Sequence, residues 1–595
     1  MKTPRSSSLG HPLRALGALV LNLAVLAAFA GAAGAHVSPA QAEHAAERGV
    51  AWFLSNQEDS GSFGFGGDWA MTALAAADLS AADARTSLVD PSAQDFYLDE
   101  WQASGPGGAG TDAARGILSG VAGGIQVSRL STDGDATKSN LPARLAELFD
   151  GTQIGEAGLL NDDIFGVLAL HRAGAPPELL REIVEYLRTK QLPDGGWSWN
   201  ASPGAPADTD MTGSVVAAFC AAGVETSDAD LAAALDLLDT LQDPATGGFI
   251  APPESFGIGV NTDTTAWVTS GLIQCGIDPQ SPEWTTAVGK TPLDYLLSLQ
   301  RPDGHFDWTD EFAGGAFETY SSVRPLAGEA FSAEPPARLD GVSPAVRPTP
   351  VVPAGTSVPI ALVVDHGPGA DDVRMCRIDV ETGSSLSEAL GAAAGASTPA
   401  GCVAEFETQP SGAGERLVSL NGVAQTGDYR WWVRVDGGPA QAETSETIGF
   451  GDLLFLDFEA KVASPSAPPA VEVPALRAAA KPRRRGPRIA LRGRDRRQGD
   501  RIVLRLHCPR GNGAAGCRGL LTLRFRDEAG RGLTGGGSAP FEVASGEGRL
   551  VGVEPSVALR AELARRSKLT LRVTAATRAE DGAVRLTHGK RVLVG

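Results

Sequence analysis

At 595 residues the chain is longer than one domain usually runs, and at roughly 100–200 residues per domain about three are expected. Its 43% apolar content excludes global disorder, and its 73 glycines follow no collagen-like period. The net charge of −20 argues against a general nucleic-acid binder, but it is unevenly spread: residues 471–595 hold 27 basic and 11 acidic residues, and the rest hold 24 and 60. An acidic part and a basic part of this kind point to separate modules.

Lys2, Arg5 and Arg14 precede an apolar run over 16–35, and small residues follow in Ala33-Gly34-Ala35 and Ala40-Gln41-Ala42. A basic start, an apolar stretch and a small-residue exit describe a secretory signal peptide, placed over 1–42. The run is also long enough to remain as a membrane anchor. With cleavage, no later stretch approaches spanning length, and a secreted or cell-surface, extracytoplasmic protein is expected.

Six cysteines suit that compartment and fall in pairs inside candidate domains. Cys376 with Cys402 and Cys508 with Cys517 read as disulfides. Cys220 with Cys275 reads either as a disulfide or as two buried thiols on neighbouring helices. None has C-x-x-C spacing or a nearby histidine, so no zinc site is expected.

From 43 to 332 the sequence repeats itself. The segments 159–174, 207–223 and 260–276 each begin with an acidic or Asn-containing cluster and continue as a small, apolar helical run ending at Gly. Aligning them puts Asp163, Asp210 and Asp263 in register, and the same register finds Asp68, Asp112 and Glu318. A second helix precedes each acid, as over 46–57, 178–191, 229–242 and 291–300, with apolar residues at helical spacing and a terminal Gln. Turns rich in Pro, Gly and aromatics follow three of them, over 192–199, 242–249 and 301–308. Six helix pairs predict a barrel of inner and outer helices. The Gln191-x-Pro193-Asp194-Gly195-Gly196-Trp197 turn and the Asp208-Thr209-x-x-Thr212 helix start resemble the prenyltransferase and squalene-cyclase repeat, and this resemblance implies an α6/α6 toroid over 43–332.

A Pro-rich linker spans 333–355. Over 356–460 a strand at 358–365, a short helix after Gly383-Ser384-Ser385, and strands at 417–423, 429–438 and 446–460 suggest a small mostly-β (α+β) domain. Asn421-Gly422 and Asp436-Gly437 mark tight turns in it. The Ser-Leu-x-x-Ala-Leu helix, the strand entering Asn421-Gly422-Val423, the Tyr429-x-x-Trp432 strand and the late Gly451-Asp452 are similar to the small β domain of the transcobalamin and intrinsic-factor family. That resemblance implies a corrinoid (cobalamin-like) ligand held between toroid and β domain. Residues 461–488 read as a Pro/Arg-rich extended linker. The basic segment 489–595 is expected to form an immunoglobulin-like β-sandwich, in which 500–526 makes a hairpin closed by Cys508–Cys517. The Arg cluster over 483–497 reads as a solvated linker. The partner it would otherwise suit is an anionic cell-surface polymer, and nothing marks specific nucleic-acid recognition.

The cyclase resemblance invites an enzymatic reading. Cyclases of that family protonate an alkene with the middle Asp of D-x-D-D, an acid that its neighbours force to hold a proton. Here Asp208-Thr209-Asp210-Met211 supplies two acids and Met211 replaces the last, so a cyclase or prenyltransferase would depend on Asp208 and Asp210. Aromatic residues make up only 6% of the chain and the Trp residues look clustered in turns, which leaves few to stabilise a carbocation. The preferred expectation is a non-enzymatic binder with no catalytic residue and no metal. Acids at helix starts have a plain alternative role as N-caps. In the toroid, however, these starts converge on one mouth, and the resemblance implies ligand contacts from Asp163, Thr209, Asp210, Asn261, Asp263 and Glu318. Tyr429, Trp431 and Trp432 would close the pocket from the β domain. His305 and Asp307 are expected to pack a turn. A third reading is a cell-surface interaction module whose helical faces bind protein.

Overall fold

The protein is described by a computed structural model covering residues 37–594, apart from 65, 87–89, 105–107, 109, 131–139, 176, 203, 253–258, 332–333, 337–351, 368–372, 396–400, 437–439, 450, 461–488, 499–500, 511–515, 526–533, 567 and 579–583. Most of the expected signal peptide and the whole 461–488 linker lie outside the described residues.

Among the described residues twelve α-helices occupy the first half: α1 (Pro39–Asn56), α2 (Trp69–Ala76), α3 (Ala93–Ser104), α4 (Gly110–Ala122), α5 (Leu141–Leu148), α6 (Leu160–Arg172), α7 (Pro177–Arg188), α8 (Thr209–Ala221), α9 (Ala229–Thr240), α10 (Thr262–Gln274), α11 (Pro292–Ser298) and α12 (Ala316–Ala327). Each even-numbered helix packs on the next even-numbered one, and α12 returns to α2, so six inner helices close a ring with the odd-numbered helices outside. Residue type explains the layering. Outer α7 buries Leu179, Leu180, Ile183, Val184 and Leu187, a stripe at helical spacing, and leaves its charges outside. Burying each such leucine is worth roughly 1.5–3 kcal/mol. Inner α8 and α10 are built largely from Thr, Gly, Ser, Ala and Val and are buried nearly all round. Small residues bring them close: a Cβ on Gly271 would collide with the carbonyl of Gly213. Cys220 and Cys275 form a disulfide across the same pair, which decides between the two readings of that cysteine pair.

The terminal glutamines of the outer helices are the stitches between repeats. Gln191 Nε2 donates to Gly195 O in its own turn (2.9 Å) and to Asp230 O at the next outer helix (2.8 Å). Gln57 bonds Gly61 O and Ala84 O, and Gln242 bonds Gly247 O and Trp284 O. Gln300 bonds Gly304 O (3.0 Å) and Ala45 O of α1 (2.8 Å), closing the circle between last and first repeat. Gly195 is required in its turn: its φ is +92°, and a Cβ there would stand 2.5 Å from Ala233 O.

The second unit is a four-stranded sheet of β1 (Ser357–Asp365), β2 (Val373–Glu381), β6 (Tyr429–Val435) and β7 (Leu453–Ala460), in the order β2-β1-β7-β6 with only β1 and β7 parallel. Helix α13 (Leu386–Gly395) and a smaller sheet of β3 (Phe406–Ser411), β4 (Gly414–Leu420) and β5 (Val423–Ala424) complete it. Asn421 and Gly422, at φ +50° and +81°, make the two-residue turn between β4 and β5. Cys376 and Cys402 form its disulfide. Strand β1 is buried on both faces. Val358, Ile360 and Leu362 fill the unit's own core, while Ala361 and Val363 join the core of the ring, where β1 and β2 lie against α5.

The basic segment forms two sheets, β8 (Ala490–Gln498), β9 (Arg501–His507) and β12 (Gly548–Val553) in one, and β10 (Cys517–Phe525), β11 (Thr534–Val543), β13 (Lys568–Arg578) and β14 (Val584–Val594) in the other, with helix α14 (Val557–Arg565) beside them. The expected 500–526 hairpin is not formed. β9 pairs with β8 and β12, β10 pairs with β11 and β13, and the Cys508–Cys517 disulfide links the two sheets. The cause is apolar alternation in both strands: Leu504 and Leu506 of β9 and Leu521 and Leu523 of β10 turn into one shared core. Period-two alternation cannot distinguish facing strands from paired ones. This unit docks on the ring through buried charge. Arg524 Nε lies 2.8 Å from Asp78 Oδ1 and its Nη2 donates to Glu334 O (2.9 Å), while Arg572 Nη1 donates to Ala327 O (2.5 Å). Asp78 and Ala327 follow or end inner helices, so this unit meets the ring at the end opposite the inner-helix starts. No described helix is long and apolar enough to cross a membrane.

Candidate functional site

Hydrogen bonds define the true register of the repeats. In four of them the turn backbone donates to a first-turn side chain of the following inner helix: Trp197 N–H to Thr212, Phe249 N–H to Thr265, Phe306 N–H to Thr319 and Ile154 N–H to Asp163 Oδ1 (3.1, 2.9, 3.1 and 2.7 Å). Thr212, Thr265, Thr319 and Asp163 are each the fourth residue of their helix. Asp163 is therefore equivalent to the threonines, Asn161 takes the position of Asp210 and Asp263, and in α12 that position belongs to Phe317 and not to Glu318, which is one residue out of register. The sequence alignment was displaced by two residues in the Asp163 repeat, because Asn161-Asp162-Asp163 offers three polar residues and the nearest acid was matched. Asp163 is fully buried, and burial pushes its carboxyl up to about 8 against the Ile154 hydrogen bond.

N-capping, the plain role for such acids, falls to neighbouring residues. Asp208 accepts the N–H groups of Asp210 (2.9 Å) and Met211 (3.1 Å), and Asn261 accepts that of Thr264 (2.9 Å). Asp210 and Asp263, each at the second helical position, cap nothing. One oxygen of each, and the equivalent Oδ1 of Asn161, is buried without a hydrogen-bond partner. Asp208, Asp210, Asn261 and Asp263 line a cavity of about 210 Å³ with Met211, Thr264, Trp267, Trp308 and Phe317. Burial and the neighbouring Asp208 push Asp210 up to about 7, opposed by a hydrogen bond from Thr264. Burial, then Glu318 and Asp210, hold Asp263 well above the usual carboxylate range, opposed by Ser321 and Arg324. The site can thus present a protonated carboxyl near neutral pH, able to donate as well as accept.

Trp267 of the cavity lining belongs to an aromatic cluster inside the ring. Trp69, Phe165, Trp267 and Phe331 stand edge to face at 5.3–6.4 Å. The buried Arg324 guanidinium lies 5.1 Å from the Trp69 ring and 5.0 Å from the Phe331 ring. Trp69 and Trp267 sit on inner helices, so the expectation that tryptophans cluster in turns does not hold for them.

The other expected site residues have local roles. Thr209 Oγ1 donates to Ile250 O (2.8 Å), tying one repeat to the next. Glu318 accepts the Gly315 N–H (2.6 Å) at the start of α12. Trp431 is fully buried in the β unit, with Nε1 donating to Val423 O (3.0 Å). Tyr429 is stacked on Phe458, and Trp432 lies under the Arg430 guanidinium. The cavity lining contains none of these three aromatics. The β unit instead meets the ring's outer helices, with Arg129 bonding Asp436 and Asp452 and Asn140 bonding Pro359 O. His305 packs on Trp52, and Asp307 pairs with Arg301. Among the described residues no cluster of His, Cys, Asp or Glu is placed to hold a metal ion.

Three lining aromatics were missed from sequence. Trp267 had a usable signal, four residues after Asp263 and so on the same helix face. Trp308 is brought in because its carbonyl accepts the Thr262 N–H (2.8 Å), a contact between repeats that no local pattern encodes. Phe317 is the neighbour of Glu318.

No protein-family model matches the chain, and no curated protein does. Solved structures with detectable likeness include haptocorrin in complex with Cbi, at 12% identity and a TM-score of 0.29, covering 70% of this chain and 97% of that one. They include the type II terpene cyclase MstE from Scytonema without ligand, at 15% identity and a TM-score of 0.34, covering 49% and 98%. A protein from Actinoplanes, at 17% identity and a TM-score of 0.31, covers 48% and 98%. The neighbours thus include a transcobalamin-like protein and a cyclase-like one, the two resemblances read from the sequence.

Proposed function

We propose that the chain is a secreted, non-enzymatic binding protein. In this reading the helical ring is an α6/α6 toroid, the middle unit is a transcobalamin-like β domain and the basic unit is an immunoglobulin-like sandwich. The ligand is a large polar molecule bearing amides, with a corrinoid as the first candidate. It engages the mouth through Asp210 and Asp263, with Asn161 and Asn261 beside them. The observation that carries the proposal is the set of equivalent positions Asn161, Asp210 and Asp263 on consecutive inner helices, each with an unpartnered buried oxygen. Unpaired acceptors of this kind cost about 1–3 kcal/mol each, which a ligand amide N–H would recover. The cavity of about 210 Å³ is smaller than the roughly 300–1,000 Å³ of enclosed small-molecule sites, so a large ligand inserts only part of itself. Tyr429, Trp431 and Trp432 are absent from the lining of this cavity, which comes from the ring. Three disulfides suit an oxidising compartment. Cobalamin should raise the thermal unfolding midpoint of the full chain, and no effect from any corrinoid would remove this ligand class.

One observation favours the enzymatic alternative: Asp210, pushed up to about 7, faces Trp267, Trp308 and Phe317 as a general acid would. Against it, Arg324 already occupies the Trp69 and Phe331 faces, which a carbocation would need. Turnover of polyprenyl substrates, abolished by Asp210→Asn, would establish it.

A further inference from the structure

A second cavity, of about 610 Å³, lies where the C-terminal sheets meet the ring, at the end away from the carboxylate mouth. Its volume falls within the roughly 300–1,000 Å³ of small-molecule sites, which favour such junctions. Strand alternation builds one wall. Along β13, Leu569, Leu571 and Val573 point into the sheet core, so Lys568, Thr570 and Arg572 point out toward the ring. Arg566, just past α14, joins them. The facing wall is apolar, with Ile273 and Ile277 at the end of α10 and Leu326 near the end of α12. Glu43 and Asp278 stand on the ring side, where Asp278 accepts the Gln280 N–H (2.9 Å).

Two guanidinium groups here are only partly used. Arg566 Nε pairs with Glu562 (2.6 Å), and Arg572 Nη1 donates to Ala327 O while its Nε lies 3.7 Å from Asp78. Nη2 of each is buried with no hydrogen-bond partner, and Arg572 as a whole is only 5% exposed. Unspent guanidinium N–H groups match the oxygens of a carboxylate or phosphate. The Lys568 ammonium adds charge at the rim, and an apolar wall opposite suits a hydrocarbon chain.

We propose that this junction cleft binds a single-chain amphiphile with an anionic head, the head on Arg566, Lys568 and Arg572 and the chain along Ile273, Ile277 and Leu326. The site is independent of the mouth. The test uses the full chain and four probes, dodecanoate, dodecyl phosphate, dodecanol and dodecyltrimethylammonium, followed by calorimetry. Dodecanoate or dodecyl phosphate should bind once per chain, at least tenfold more tightly than dodecanol, and the cation should not compete. The two anionic probes tell carboxylate from phosphate as the preferred head. Lys568→Glu with Arg566→Gln should weaken anion binding at least tenfold, and Ile277→Trp should block it. If the double variant does not fold, Lys568→Glu alone, at an exposed position, carries the same expectation. Equal binding of dodecanol, no saturable binding of either anion, or binding indifferent to Lys568→Glu would overturn the proposal. So would displacement of the amphiphile by cobalamin, which would merge the two sites.

Discussion

Arg524 on strand β10 and Asp78, two residues past α2, form a buried ion pair at 2.8 Å, each no more than 5% exposed. Asp78 also receives the Thr574 hydroxyl, and Arg524 reaches Glu329 (3.5 Å) and Glu334 O. Removing one partner of a buried pair leaves the other charge uncompensated, at a cost of about 3–5 kcal/mol. Arg524→Ala should therefore lower the thermal midpoint and release the C-terminal unit early in limited proteolysis. Arg524→Lys should recover little, because the three N–H groups of an ammonium radiate from one nitrogen and lack the spread, planar fork by which the guanidinium reaches separate acceptors. Unchanged proteolysis would mean that the unit is held by other contacts.

Gln300 joins the last repeat to the first. Gln300→Ala strands two carbonyls, Gly304 O and Ala45 O, and should cost roughly 1–3 kcal/mol in denaturant unfolding. The same change at Gln191 should cost a similar amount, since it breaks an equivalent bridge. A negligible effect at both would remove the stitching role.

The Cys220–Cys275 bridge closes a loop of 55 residues. By loop-closure entropy it is worth roughly 4 kcal/mol. Replacing both cysteines by Ala should lower stability on that scale, whereas an unchanged unfolding midpoint would show the α8–α10 contact to be sufficient alone.

Burial and Asp208 raise Asp210 to about 7, well above an unfolded aspartate. Between about pH 4 and 7 the folded state then holds more protons than the unfolded state, so this group lowers stability as pH rises through that window. The penalty is complete above 7 and absent below 4. Asp210→Asn should make the thermal midpoint less sensitive to pH between 5 and 8, and raise it most at pH 8. An unaltered profile would show that Asp210 ionises freely.

Much of the ring was legible because periodicity is a local property. Leu179, Leu180, Ile183, Val184 and Leu187 announce an outer helix, and Pro193, Gly195 and Trp197 announce the turn after it. The terminal glutamines were visible as a pattern, although their bridging role depends on carbonyls one repeat away. The site is less legible. Asp210 and Asp263 stand out in the repeat, but at 161–163 the sequence favours Asp163 over Asn161, since a polar triplet does not say which member a distant N–H will choose. The β9–β10 relation and the Arg524–Asp78 contact join parts of the chain that no spacing rule connects. Trp431 and Trp432 share a strand, and only packing shows that Trp431 belongs to the core.

Asp210 and Asp263 form the mouth at which the ligand is proposed to bind. Titrating the full chain with cobalamin while following the visible corrinoid bands tests this binding most directly. A saturable shift with one site per chain is expected, weakened at least tenfold when Asp210 and Asp263 are both replaced by Ala. A corrinoid spectrum that stays unchanged at saturating protein, or a shift that survives the double substitution intact, would contradict it.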